Sequence, residues 1–170
     1  VVSVLALGID PGSRVTGWGV VEGRGGAVRH VDSGTLVLPL AEPLAVRLAR
    51  LHAECLRLIA RWQPAAVVLE RAFVARNVQS ALRLGEARGA VLAAVAASGV
   101  PLAQYAPAEV KLAAVGHGRA DKETMARGVA ARLRLAPPPP PDAADALALA
   151  LCHLQQAPLA RAMARAREGA

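Results

Sequence analysis

A chain of 170 residues that is 54% hydrophobic has enough apolar material for one full core, and its composition does not ask for a second domain. Twenty Lys and Arg against thirteen Asp and Glu leave a net charge of +7, a balance suited to a polyanionic partner. Cys55 and Cys152 lie in helical apolar patterns without metal-type spacing, which excludes a disulfide framework and predicts two reduced core residues. The first apolar run carries no basic stretch before it and is only about nine residues long, too short for a secretory signal or a membrane span, so a soluble cytoplasmic protein with no membrane partner is expected.

In chain order, Val2 to Ile9, Val15 to Val21 and Ala27 to Leu38 predict three strands joined by turns at Pro11-Gly12 and Gly23 to Gly26, an antiparallel meander. Leu44, Leu48, Leu51, Cys55, Leu58, Ile59 and Trp62 then recur at helical spacing until Pro64. The apolar run Ala65 to Leu69 predicts a buried strand ended by Glu70. A long helix follows over Val78 to Ala97, a strand over Val100 to Tyr105, and helices over Pro107 to Val115 and Asp121 to Leu135. Prolines 137–141 forbid helix until Asp142, whose side chain is expected to cap the last one. Three antiparallel strands followed by alternating helix and strand give an α/β domain with a mixed five-stranded sheet and helices on both faces, the element order of a ribonuclease H-like fold. Residues 1–158 are expected to form this single domain, and 159–170, rich in Ala and Arg, a basic tail that continues the helix or hangs loose.

Four acids stand out by placement. Asp10 closes the first apolar run inside GIDPGSRVTGWG, Glu70 ends a run of Val and Leu, and Asp142 and Asp145 share one face of the last helix. Acids at the start of a helix are often caps, but that role cannot explain acids at the ends of two buried strands. Four carboxylates brought together repel unless a cation neutralises them, so a divalent metal site is predicted at Asp10, Glu70, Asp142 and Asp145. An all-oxygen site selects hard ions, Mg2+ above all, and two such ions roughly 4 Å apart suit phosphodiester hydrolysis.

Lysine occurs only at Lys111 and Lys122 in a chain that otherwise uses arginine, and both flank the loop Gly116 to Gly118. Compact ammonium charges near a phosphate would explain their retention, and so would chance. The single phenylalanine, Phe73, follows Glu70 closely, either as a base-stacking wedge or as an anchor of its loop. Arg76, Asn77, Ser80 and Arg83 form a polar stripe beside it, which suits DNA contact and equally a solvated helix face. His117 lies in the loop GHGRADK within reach of a phosphate, whereas His153 reads as packed. Gly85 and Gly89 strip one helix face of side chains, where the sheet or a second subunit would approach.

The segments GIDPGSRVTGWG, LERAFVARNVQSALRLGEARG, YAPAEVKLAAVGHGRADK and PDAADALALA follow one another in the order and spacing of the RuvC family of Holliday-junction resolvases, which this chain resembles over nearly its whole length. The resemblance implies a homodimer that cuts two opposed strands of a four-way DNA junction symmetrically in recombination and repair. It implies Asp10, Glu70, Asp142 and Asp145 as ligands of Mg2+, with Mn2+ as a substitute, although some relatives carry His at the position of Asp142. It also implies Lys111 and Lys122 as active-site cations, Phe73 as a residue stacking on unpaired bases, and the helix of Gly85 and Gly89 as part of the dimer interface. Preference for a short thymine-containing sequence and cooperation with the RuvA and RuvB branch-migration proteins are further expectations of the resemblance. The readings that compete are a ribonuclease H-like nuclease acting on structured RNA and a junction-binding module that does not cut.

Overall fold

The apolar N-terminal run forms the central strand of a sheet. In the computed structural model, which describes residues 2–71, 78–118 and 120–168 with side chains followed to residue 157, the elements are β1 (Val4–Asp10), β2 (Val15–Arg24), β3 (Ala27–Val37), α1 (Leu44–Trp62), β4 (Ala66–Glu70), α2 (Val78–Ser98), β5 (Leu102–Tyr105), α3 (Pro107–Val115), α4 (Lys122–Leu133) and α5 (Pro141–Glu168). The sheet order is β3-β2-β1-β4-β5, with the first three strands antiparallel and β4 and β5 parallel to β1. This is the expected mixed five-stranded sheet.

Alternation along the central strands divides the core in two. Leu7 and Ile9 of β1 and Val67 and Leu69 of β4 point to one face, where they meet Leu51, Leu58, Val91 and Val95 of α1 and α2. Ala6 and Val68 point to the other, against Val110, Met125, Val129 and Leu147 of α3, α4 and α5. Both faces are covered, so the strands read as continuous apolar runs rather than as an alternating pattern.

Several boundaries shift from those the sequence predicts. β2 runs on to Arg24 because the hairpin turns only at Gly25 and Gly26, both at positive φ. β5 begins at Leu102 rather than Val100, since its pairing with β4 starts at Val67 opposite Leu102. Asp121 lies outside α4 as its cap, its side chain accepting from the Thr124 amide at 2.7 Å, and Arg134 in left-handed conformation ends that helix before Leu135. The expectation that Asp142 caps α5 is corrected. The helix already includes Pro141, and the Pro140 carbonyl accepts from the Ala144 amide at 2.9 Å, so Asp142 stands inside the first turn. Proline is tolerated there because the first helical residue needs no amide hydrogen. α5 continues without a break past residue 158 to Glu168.

α5 lies directly on β1 and β2, and glycines make this possible. Gly8 pairs with Gly19, and Asp10 with Gly17, in the β1–β2 register. A Cβ on Gly8 would stand 1.9 Å from the Ala146 carbonyl oxygen, and one on Gly17 1.9 Å from that of Asp142. The helix backbone therefore occupies the space that side chains would fill. Gly8→Ala is expected to lower unfolding free energy by about 2–3 kcal/mol through overpacking, read as a lower urea midpoint, while Gly85→Ala, where a Cβ meets open space, leaves it unchanged or raises it.

Candidate active site

Two acids reach the site through strand parity. Asp10 shares the face of Ala6 and Gly8, and Glu70 that of Val68, which is the α5 face. β1 and β4 are adjacent and in register at Gly8 and Val68, so Asp10 and Glu70, each two residues further on, end neighbouring strands on the same side. α5 crosses just above them and brings Asp145 over the same edge. Asp10, Glu70 and Asp145 line one cavity of about 220 Å3 with Lys111 of α3 and Lys122 of α4. Asp142, three residues before Asp145, lies on the rim: it is absent from the cavity wall, yet its charge bears on Asp10.

Electrostatics marks the cluster as frustrated. Burial, then the charges of Asp145, Glu70 and Asp142, push the Asp10 carboxyl up to about 7, with Lys122 acting in the opposite sense. Burial and Asp145 raise Glu70, offset by Lys111 and Arg88. Asp145 is raised by burial and by Asp142, while Lys122 and Lys111 lower it. The ammonium of Lys122 stands 3.8 Å from Asp145 but is largely exposed, so this ion pair contributes little stability.

The donor set fits a hard divalent cation. It consists of carboxylate oxygens, half-buried, mutually repelling and only partly neutralised by two lysines. Among the described residues, no three of His, Cys, Asp and Glu are gathered into a ready-made metal-binding group. A divalent ion bound among these acids would relieve the repulsion that raises their proton affinity.

The remaining predicted residues divide. Lys111 and Lys122, far apart on the loop they flank, share the cavity wall. His117 does not; it lies exposed in a separate shallow groove with Thr124 and Arg127. His153 is packed, its Nδ1 2.9 Å from the Tyr105 hydroxyl. Ser80 and Arg83 are exposed on the first turns of α2, and Gly85 and Gly89 face open space, so the sheet is not the neighbour that their bare face fits. Phe73, Arg76 and Asn77 lie outside the described residues. Two arginines given no role by the sequence reading brace the backbone that follows Asp10 and ends β4. Arg88 of α2 donates to the Glu70 carbonyl at 2.6 Å and to the Gln104 side chain at 2.6 Å, and Arg47 of α1, only 8% exposed, donates to the Ser13 carbonyl at 2.8 Å. A signal existed for both: each occupies an apolar helical stripe, Arg88 with Val91 and Val95, Arg47 with Leu51 and Cys55.

Comparison with known proteins shows the family and the fold. A family model described as crossover junction endodeoxyribonuclease RuvC matches residues 6–153. The crossover junction endodeoxyribonuclease RuvC of Alkalilimnicola ehrlichii is 52% identical over 160 residues, 94% of this chain and 96% of its own length. That of Magnetococcus marinus is 49% identical over 153 residues, 90% of this chain and 85% of its own. Thermus thermophilus RuvC, solved in complex with a Holliday junction substrate, superposes with a TM-score of 0.86 at 39% identity, covering 92% of this chain and 96% of that one. On these matches and on its ribonuclease H-like sheet, the chain belongs to the RuvC family of crossover junction endodeoxyribonucleases.

Proposed function

We propose that this chain is a structure-selective endonuclease that resolves four-way DNA junctions by metal-dependent, symmetric phosphodiester hydrolysis, in the cytoplasm and in the service of recombination and repair. The observation that carries the reading is the shared cavity of Asp10, Glu70 and Asp145 with Lys111 and Lys122, in a chain related over nearly all its length to RuvC. Asp10, Glu70, Asp145 and, from the rim, Asp142 hold Mg2+, two ions per site, or Mn2+ in its place. The bound cation supplies charge neutralisation at the scissile phosphate and a more acidic water. The chain's own residues do the rest. Lys111 and Lys122 set positive charge in the same cavity as the acids, suited to the non-bridging oxygens of the cleaved phosphate. Ser80 and Arg83, exposed on α2, contact DNA beside the site, and Phe73, Arg76 and Asn77, which precede them in the sequence, are assigned the same role.

The active form is a homodimer. A junction has approximate two-fold symmetry, and a two-fold dimer sets equivalent cavities on equivalent strands. Support comes from α2, where exposed Leu82 and Leu84 adjoin Gly85 and Gly89, whose Cβ positions meet nothing among the described residues. RuvA and RuvB are the expected partners. Residues 1–158 are the nuclease unit, and the basic 159–170 adds charge that a polyanion would attract.

Asp10→Asn is expected to abolish strand cleavage in Mg2+ while junction binding in Ca2+ persists, as read by gel shift and strand-by-strand product mapping; unimpaired cutting would remove Asp10 from the mechanism. The same assay on duplex DNA and structured RNA separates a junction resolvase from an RNA nuclease. A second expectation concerns pH. Unfolded, Asp10 ionises near 3.8, whereas folded it does so near 7, so within that window the folded chain keeps a proton that the unfolded chain has released. Stability in EDTA should therefore fall as pH rises through the window, by on the order of 3–4 kcal/mol, and stay lower above it. In Asp10→Asn this loss should shrink to the smaller part that the raised Glu70 and Asp145 contribute, and in the native chain Mg2+ should reverse it; denaturant melts at pH 5 and pH 8 decide. Thirdly, Gly89→Leu should leave the fold intact but shift the chain to monomer in sedimentation, with paired cleavage lost.

A further inference from the structure

Glu70 is the last residue of a parallel strand whose supports give out around it. The β1–β4 pairing ends at Gly8 and Val68, two residues short, and on the other side the ladder closes with Glu70 opposite Tyr105 and the Arg71 amide donating to the Tyr105 carbonyl at 2.7 Å. The carbonyl of Glu70 instead receives Nη1 of Arg88 at 2.6 Å, while Nη2 of the same guanidinium reaches Oε1 of Gln104 at 2.6 Å. One planar fork thus ties α2 to the ends of β4 and β5 at once. Arg88 also lines a second small cavity with Leu84 and Gly85, which shares Asp10 and Glu70 with the first but has neither lysine in its wall. It is half-buried, and among the described residues no acid is recorded in a salt bridge with it. The guanidinium gives its hydrogen bonds to a main-chain carbonyl and a neutral amide while its charge acts on the Glu70 carboxylate without a salt bridge, so geometry and charge converge on one acid.

We propose that Arg88 is a positioning residue for the reaction: by clamping the Glu70 carbonyl against Gln104 it fixes the end of β4, and with it the direction in which the Glu70 carboxylate enters the acid cluster. This rests on Glu70 being one of the metal-holding acids. Lysine cannot replace the clamp, because an ammonium lacks the rigid two-pronged geometry that spans both acceptors. Displacement of a reacting group by about 1 Å is enough to cost a hundredfold in rate, so loss of the clamp has room for a large effect without unfolding.

The test uses the full chain with Arg88→Ala, Arg88→Lys and Glu70→Gln. For Arg88→Ala, junction affinity in Ca2+ should stay within about twofold, the single-turnover cleavage rate should fall about tenfold or more, and calorimetric Mn2+ affinity should weaken about threefold or more. Hydrogen exchange of the peptide covering Val68 to Arg71 should quicken. Millimolar guanidinium should restore part of the rate in Arg88→Ala, and Arg88→Lys should recover less than half of it. Wild-type rate and Mn2+ affinity in Arg88→Ala would overturn the proposal, as would a loss that tracks thermal stability and is not rescued by guanidinium. Glu70→Gln separates the two layers: if it cleaves normally, the site reading itself fails, whereas an inactive Glu70→Gln beside a fully active Arg88→Ala removes Arg88 alone.

Discussion

α5 can rest on the sheet only because the residues beneath it have no side chains. A methyl on Gly8 or Gly17 would enter the carbonyl oxygens of Ala146 or Asp142, and on Gly19 it would strike the side chain of Leu147. Helices ordinarily pack on sheets at a distance set by the side chains between them, and removing those side chains lets the helix axis drop. The consequence is chemical. Asp145 sits one residue before Ala146, so whatever fixes the Ala146 carbonyl over Gly8 also fixes the height of the Asp145 carboxylate above Asp10, two residues along the strand from Gly8. The acids at the strand ends and the acid on the helix meet because of three missing Cβ atoms, and no contact between the carboxylates themselves could hold them there.

That arrangement works against stability. The side chains it brings together raise one another's proton affinity, and the largest contribution is burial, which the close helix deepens. The fold tolerates the cost because the two apolar layers on either side are extensive and independent of it: Leu7, Ile9, Val67 and Leu69 on one face, Leu147, Leu151 and Val129 on the other, all fully or nearly fully buried. The strained edge is thus carried by a core that does not need it, which is the usual division between a scaffold and a site with perturbed carboxylates.

How far the sequence discloses this depends on which physical signal a residue leaves. Strands and helices whose apolar positions are regular, such as α1 and β4, match their predicted spans within a residue or two, since burial on one stripe or both faces writes itself into the pattern. The acids are legible for the opposite reason: a carboxylate at the end of an apolar run contradicts its surroundings. Boundaries set by hydrogen bonding to a distant element, as at β5, leave no local mark. The glycines of β1 and β2 are visible as letters, but their function is a property of α5, more than 120 residues away in the chain, and a turn is the reading that local chemistry favours. Asp142 misleads through a real preference: acids do cap helices, and only the backbone reveals that proline has already started this one. Arg47 and Arg88 were legible in principle, since a guanidinium on an apolar stripe is as discordant as an acid at a strand end, yet in a chain with eighteen arginines the discord is easily lost.

The anchoring of α2 explains why such a clamp belongs at residue 88 rather than elsewhere. The buried residues of this helix are Ala87, Val91, Ala94 and Val95, from its middle onward. Its first half presents Val78, Leu82 and Leu84 to solvent at 78%, 63% and 42% exposure, a surface open to DNA or to a second subunit but with little to hold it against its own sheet. Arg88 falls at the junction of the two halves, on the first turn that the core of α1 and β4 already immobilises. A guanidinium one turn earlier would move with whatever docks on the exposed half, and would carry that movement to Glu70. At residue 88 it refers the acid to the buried half instead, so that the end of β4 is tied to the part of the helix that the core holds.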